Sequence, residues 1–217
     1  MGNMGNQDVN EKNRKLTEAE QKRLARFESL SAELTGQGYS RTDLTIGIVR
    51  ANVFAIFLLI PLVIIGVGLF YMRHKTLTAG FGLNTLICFV IVFAVLIVVH
   101  ELIHGACWAI FAEHHFSDIE FGFMRQYITP YCTCGVPLRK GPYIFGALMP
   151  LILLGIIPMI AGIFIGSMPV LLIGILMADS AAGDIMIAWN ILRYRSLAAS
   201  VVYIDHPTQA GGVIFEK

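Results

Sequence analysis

Four long apolar runs dominate the pattern of hydrophobic and polar positions along the chain. They cover residues 51–72, 83–112, 143–165 and 169–192, and a short turn at 166–169 joins the last two. A run of about 20 or more apolar residues is typical of a helix that crosses a bilayer. The pattern therefore predicts an all-α membrane protein with four transmembrane helices.

The polar segments predict three regions: an N-terminal segment over 1–50, a membrane domain over 51–192 and a tail over 193–217. Thr17 and Glu20 have the spacing of a capping box, which predicts a cytoplasmic helix in the N-terminal segment. Its apolar stripe is thin. The pattern leaves open whether this helix rests on the membrane, packs against the membrane domain or is solvated.

The loop at 113–142 follows a different pattern. Ile119, Phe121 and Phe123 alternate with polar residues or glycine, and such alternation is typical of a half-buried strand. The segment 127–134 is its natural partner across a short turn. We therefore predict a short cytoplasmic β-hairpin-like loop between the second and third spans.

Charge gives the predicted spans an orientation. Charged residues make up 14% of the chain, well below the roughly 25% of soluble domains. The 16 Lys and Arg residues balance the 15 Asp and Glu residues, so the basic footprint of a nucleic-acid-binding protein is absent. Lys and Arg are concentrated in residues 1–50, in the 113–142 loop and after residue 192. This distribution predicts a multi-pass protein of the cell membrane with both termini in the cytoplasm.

The second apolar run contains the sequence His-Glu-Leu-Ile-His at residues 100–104. On a helix, His100 and His104 lie one turn apart on the same face, where two imidazoles can bind one zinc ion. Glu101 lies beside them and is placed to accept a proton from a water molecule and to pass it to a leaving amine. Ionisable residues inside a membrane helix are costly and usually functional. A polar cluster satisfied by neighbouring helices, or a proton relay, is the alternative.

Two histidines leave a catalytic zinc ion one protein ligand short. Asp179 and Asp184 in the fourth run are the candidate carboxylates. Asp184 lies nine residues before Arg193, as His104 lies nine residues before Glu113, so both side chains are expected at the same depth. Asp179 is about 140° further round a continuous helix and is predicted to be a hydrogen-bonded polar residue in a cavity. Asp184 is therefore the predicted third ligand of one zinc ion.

These motifs resemble a known family, the putative zincin peptidases, which were long classified as a domain of unknown function. The motifs that carry the resemblance are HELIHG at 100–105, PYCTCGVPL at 130–138, ALMP at 147–150 and Gly-Asp at 183–184. The resemblance covers roughly residues 38–195, and that family is similar to the site-2 proteases, which cleave within membranes. It implies His100, His104 and Asp184 as zinc ligands and Glu101 as the catalytic acid and base.

The sequence therefore predicts an integral membrane zinc metallopeptidase that acts on membrane-associated proteins or peptides, with an active site open to the cytoplasm. The hairpin at 116–134 is expected to hold the substrate extended by adding a strand to its edge. Two other classes of function stay open. A metal or proton transporter also places His, Glu and Asp in membrane helices, and a catalytically inactive interaction protein can retain zinc.

The remaining polar and aromatic residues are not predicted to take part in the site. His114 is expected at the level of the lipid headgroups, and Trp108 at the membrane interface or in helix packing. Cys132 and Cys134 are expected to be reduced thiols in a loop. His206 lies in a polar tail and has no predicted role.

Overall fold

The computed structural model of the chain describes residues 16–77, 82–124 and 129–217. Residues 1–15 of the N-terminal segment and the predicted hairpin turn lie outside these ranges. In the described residues, the α-helices are α1 (Glu18–Gly36), α2 (Ile48–His74), α3 (Leu83–Ala109), α4 (Lys140–Pro150), α5 (Ile157–Ile165), α6 (Met168–Ser180) and α7 (Ala182–Arg193). The strands are β1 (Ser40–Thr45), β2 (Ile119–Met124), β3 (Thr129–Cys134), β4 (Val201–Asp205) and β5 (Gly211–Glu216).

The first three apolar runs form helices that are long and apolar enough to cross a membrane. Two of them are α2 and α3. The third extends over Lys140–Ile165 and consists of α4, a single stretch of π-helix at Leu151–Ile156, and α5. Many of their large apolar side chains are exposed, as expected for surfaces that face lipid. The structure is therefore mostly helical, with three such helices in its described part.

The fourth apolar run is not the continuous helix that the sequence predicts. It is broken at Ala181, and α6 and α7 meet at an angle of 47°. The Ser180 hydroxyl donates to the Met177 carbonyl oxygen (2.8 Å), a local bond that competes with the helical hydrogen-bond pattern. Counted as one bent span, α6 and α7 bring the number of candidate spans to four.

The prediction of an all-α chain is wrong in its polar parts, because a three-stranded antiparallel sheet joins the two ends of the chain. The strand order is β1-β5-β4, so the segment predicted only as a tail supplies two of the strands. Val213, Ile214 and Phe215 of β5 are completely buried. The sequence signal for β4 and β5 was weak because these strands are short and because the third strand of the sheet, β1, lies more than 150 residues earlier in the chain.

Helix α1 begins at the predicted capping box. The Thr17 hydroxyl accepts the Glu20 N–H (3.3 Å), and the Glu20 carboxylate accepts the Thr17 N–H (2.9 Å). Phe27 and Leu34 share a buried apolar cluster with Phe215 and other residues of β4 and β5. Of the alternatives that the sequence leaves open, the structure shows α1 packed against the protein itself, on the sheet formed by the chain ends.

The predicted hairpin is present as the two-stranded antiparallel sheet β2–β3. It packs on α3 next to the histidine motif, and Gly105 makes this possible. A side chain at position 105 would overlap the ring of Phe121 and press on Ile119. The helix, the hairpin and the terminal sheet therefore converge around the cytoplasmic end predicted for α3.

The buried position of β5 leads to a prediction about stability. Phe215→Ala should lower the free energy of unfolding by about 3–5 kcal/mol, because it removes a fully buried aromatic ring. Leu197→Ala is the control, since Leu197 is fully exposed and should change the value by less than about 0.5 kcal/mol. Unfolding of the purified protein in detergent measures both. Equal values for the two variants would contradict the packing of the C-terminal segment.

Candidate metal centre

Helix α3 places His100 and His104 on its buried side, one turn apart. Their ring centroids are 4.7 Å apart and nearly perpendicular. On the other side of His104, the indole of Trp108 stacks on the imidazole with centroids 5.2 Å apart and an angle of 15° between the planes. Trp108 is thus buried in helix packing, one of its two predicted positions, and it restricts the rotation of the His104 ring.

Asp184 reaches this histidine pair from α7. The break at Ala181 starts a new helix, so Asp184 lies in the first turn of α7, where the helix dipole favours a carboxylate. Its Oδ2 atom is 3.1 Å from Nε2 of His100 and 3.5 Å from Nε2 of His104. One ligand atom from each of the three residues lies within 4.8 Å of the others. The structure therefore brings together the three predicted ligands, and their binding of an ion stays a prediction.

The chemistry of these three residues fits zinc, which binds imidazole nitrogen and carboxylate oxygen. Nδ1 of His104 is 2.8 Å from the Gly146 carbonyl oxygen. Because a carbonyl oxygen can only accept, Nδ1 carries a proton, and Nε2 is the ring nitrogen that is left to bind an ion on the side of Asp184. Nδ1 of His100 is buried without a hydrogen-bond partner among the described residues. Two imidazole Nε2 atoms next to one carboxylate form a donor set that fits a zinc ion.

Glu101 lines the same cavity as the three candidate ligands, a space of about 260 Å³. The N–H of Cys132 in β3 donates a hydrogen bond to the Glu101 carboxylate. The hairpin therefore orients the predicted acid and base as well as enclosing it. The catalytic role of Glu101 itself stays a prediction.

The outer edge of β3 faces this cavity. The Gly135 N–H donates to the Asp118 carbonyl oxygen (2.9 Å), and hydrogen-bonded pairs alternate along an antiparallel ladder. The N–H groups of Cys132 and Cys134 therefore point away from β2. The Cys134 N–H donates to Oδ2 of Asp205 (2.8 Å). This edge is thus engaged by carboxylates of the protein itself.

Asp205, at the end of β4, is a residue of the cavity that the sequence analysis missed. Its carboxylate accepts hydrogen bonds from the Cys134 N–H and from the hydroxyl of Tyr143, and burial raises the pKa of the carboxyl group. An isolated aspartate that closes an apolar stretch, Val-Val-Tyr-Ile-Asp, is the only signal of its position. The C-terminal segment therefore contributes directly to the surroundings of the candidate centre.

His206 follows Asp205 in the turn between β4 and β5 and also lines the cavity. Its Nδ1 accepts the backbone N–H groups of Thr208 (3.3 Å) and Gln209 (3.1 Å), so the side chain holds the turn in shape. The sequence assigned no role to this residue, and the structure gives it a structural role at the cavity wall.

Asp179 lies in α6 before the break and is not part of the three-residue group. Its Oδ1 atom is buried without a hydrogen-bond partner among the described residues, so the predicted hydrogen bonding is not seen at this oxygen. In a continuous helix, the spacing of five residues would fix the angle around the helix axis between the side chains of Asp179 and Asp184. Because the helix is broken at Ala181, the directions of the two side chains depend on the break instead.

The other polar residues are separate from the group of three. Nδ1 of His114 lies 3.4 Å from Oδ1 of Asp118 and is largely exposed. Cys132 and Cys134 are free thiols, as predicted. Burial raises the pKa of Cys134 to about 12 and also raises the pKa of Cys132, which favours the thiol over the nucleophilic thiolate.

Comparison with known proteins agrees with the resemblance in the motifs. Residues 93–198 match the model of a family described as "Putative zincin peptidase". This segment contains the histidine motif, the hairpin and α7. Searches of curated proteins and of solved structures each found no match.

The two aspartates of the bent span provide a test of the centre. Asp184→Asn should abolish stoichiometric zinc binding, because a neutral amide is a poorer ligand than a carboxylate. Asp179→Asn is the matched control and should retain the zinc content of the wild type. Elemental analysis of the purified, zinc-equilibrated proteins measures both. Zinc lost from the Asp179 variant and kept by the Asp184 variant would reverse the assignment.

Proposed function

We propose that this protein is an integral membrane zinc metallopeptidase, similar to the site-2 proteases, that hydrolyses peptide bonds of membrane-associated proteins or peptides. The observation that carries the proposal is the convergence of His100, Glu101, His104 and Asp184 on one cavity. The match of this segment to a zincin peptidase family supports the same chemistry.

In this proposal, His100, His104 and Asp184 hold a single zinc ion. Zinc bound by these residues would act as a Lewis acid towards a peptide carbonyl and lower the pKa of a water molecule. Glu101 accepts the proton from the attacking water and returns it to the amine that leaves. The Cys132 N–H, which donates to the Glu101 carboxylate, keeps this carboxylate in place between the two proton transfers.

The edge of β3 indicates how a substrate is held. A peptide must be extended to be cleaved, and strand addition to a free edge provides extension. The edge amides of Cys132 and Cys134 already donate to carboxylates of the protein, and Pro130 has no N–H. We infer that the substrate donates its own N–H groups to the carbonyl oxygens of this edge and receives few hydrogen bonds in return.

The proposal places the chain in the cell membrane with both termini in the cytoplasm. Two features support this orientation. The helix α1 near the start of the described chain and β5 near its end pack in one apolar cluster, so they lie on the same side. The Lys and Arg residues of the N-terminal segment, and those that follow the last span, favour the cytoplasmic side.

Glu101→Gln tests the peptidase mechanism. The variant should retain one zinc ion per chain but lose activity by about 10²–10⁴-fold, because the ligands remain while the proton acceptor is absent. Glu113→Gln is the control, since Glu113 is an exposed glutamate just beyond the end of α3. Quantitative proteomics of cells that express each variant measures the accumulation of uncleaved membrane proteins.

Unchanged cleavage in the Glu101 variant would contradict the mechanism. Stoichiometric zinc in the wild type, together with identical proteomes for wild type and both variants, would favour a zinc-binding interaction protein instead. A transporter would be indicated by zinc or proton flux into vesicles that carry the purified protein.

Two exposed leucines test the orientation. We expect Leu77→Cys to react with a membrane-impermeant maleimide in intact cells, because position 77 follows the first span. Leu197→Cys should react only after permeabilisation, since it follows the last span. Both side chains are exposed, and the native cysteines are replaced by alanine in both proteins. The opposite labelling pattern would invert the proposed topology.

A further inference from the structure

The hydrogen bond that orients His104 depends on an irregularity in α4. In an α-helix, each carbonyl oxygen accepts the N–H of the fourth residue that follows it. The residue four positions after Gly146 is Pro150, which has no N–H to donate. The next amide, that of Leu151, donates to Leu148. The Gly146 carbonyl oxygen is thus left without its helical donor, and it accepts Nδ1–H of His104 at 2.8 Å.

The absence of a side chain at position 146 serves the same contact. A Cβ atom there would overlap the indole of Trp108. Nε1 of Trp108 donates to the Tyr143 carbonyl oxygen (3.1 Å), one helical turn before Gly146. Two ring N–H groups one turn apart on α3 are therefore bound by two carbonyl oxygens of α4. The Tyr143 side chain is in turn held by Asp205.

We propose that Pro150 is a positioning residue of the metal centre. By leaving the Gly146 carbonyl oxygen free of a helical donor, it keeps this oxygen directed at Nδ1 of His104, so that Nε2 of the same ring faces Asp184. This inference rests on the proposed metal site. The proposed role of Pro150 is to help orient the imidazole of His104 before any ion binds.

Pro150 is fully buried, so its replacement by alanine removes the packing of the ring and is expected to lower stability, although proline is itself unfavourable inside a helix. Alanine also restores an N–H that competes for the Gly146 carbonyl oxygen and draws it towards the helix axis. Loss of such a partner of a metal-binding histidine typically weakens metal affinity by 10–100-fold. Metal affinity should therefore follow the presence of an N–H at position 150 rather than the stability of the protein.

The test compares Pro150→Ala with Pro61→Ala in the full-length protein in detergent. Pro61 lies inside α2 and is not among the residues that line the cavity, so it controls for removal of a helical proline. Affinities for Zn²⁺ and Co²⁺ are measured by competition with a chromogenic chelator, and thermal unfolding is measured without metal. We expect at least about 10-fold weaker binding for Pro150→Ala and wild-type affinity for Pro61→Ala. The melting temperatures show that each variant is folded at the temperature of the binding measurement.

A third protein separates the missing N–H from the shape of the proline ring. Lactic acid incorporated at position 150 gives the ester counterpart of alanine, which has no N–H and cannot donate to Gly146. It should restore wild-type affinity. Weak binding by both the alanine and the ester proteins would overturn the inference, as would wild-type affinity of Pro150→Ala. A wild-type protein that binds neither metal would contradict the proposed function itself, and the inference with it.

Discussion

The structure depends on one constraint: polar side chains on an apolar helix must find partners inside the protein. His100, Glu101 and His104 lie on α3, most of which is apolar enough to face lipid, and lipid offers such groups no hydrogen-bond partners. Each has a specific partner. Asp184 lies against both imidazoles, and backbone groups of α4 and β3 bind His104 and Glu101. The bent fourth span, the irregular third span and the hairpin are arranged around these contacts.

The parts of the chain outside the family match contribute to the same site. Arg23 of α1 is nearly buried and joins three elements at the cavity. Its Nε donates to the Pro207 carbonyl oxygen (2.6 Å), and its guanidinium also donates to the Tyr131 hydroxyl (2.9 Å) and stacks on that ring. Asp205 of β4 binds the edge of the hairpin. The two ends of the chain therefore form walls of the cavity rather than independent appendages.

Local sequence patterns predicted the structural elements that depend on contacts between residues close together in the sequence. The apolar runs, the capping box at Thr17 and the alternation of the hairpin each involve contacts within a short stretch, and the structure contains all three. The terminal sheet could not be predicted in this way, because β5 pairs with β1 across almost the whole chain. Asp205 was missed for the same reason, since its importance comes from Cys134 and Tyr143, which are distant in sequence. The break at Ala181 lies in a stretch of small residues. Such a stretch is equally compatible with close packing of a continuous helix, so the sequence did not predict the break.

The irregular backbone segments are concentrated where the polar side chains need partners, and a common physical reason connects them. A regular helix or sheet uses its own N–H and C=O groups internally, so only an interruption frees such a group for a side chain. Pro150 frees the carbonyl oxygen that binds His104. The break before α7 gives Asp184 a helix N-terminus, where unpaired amides favour a carboxylate. The open edge of β3 supplies the amide that binds Glu101. Interruptions of regular structure therefore supply the polar partners that a centre on an otherwise apolar helix needs.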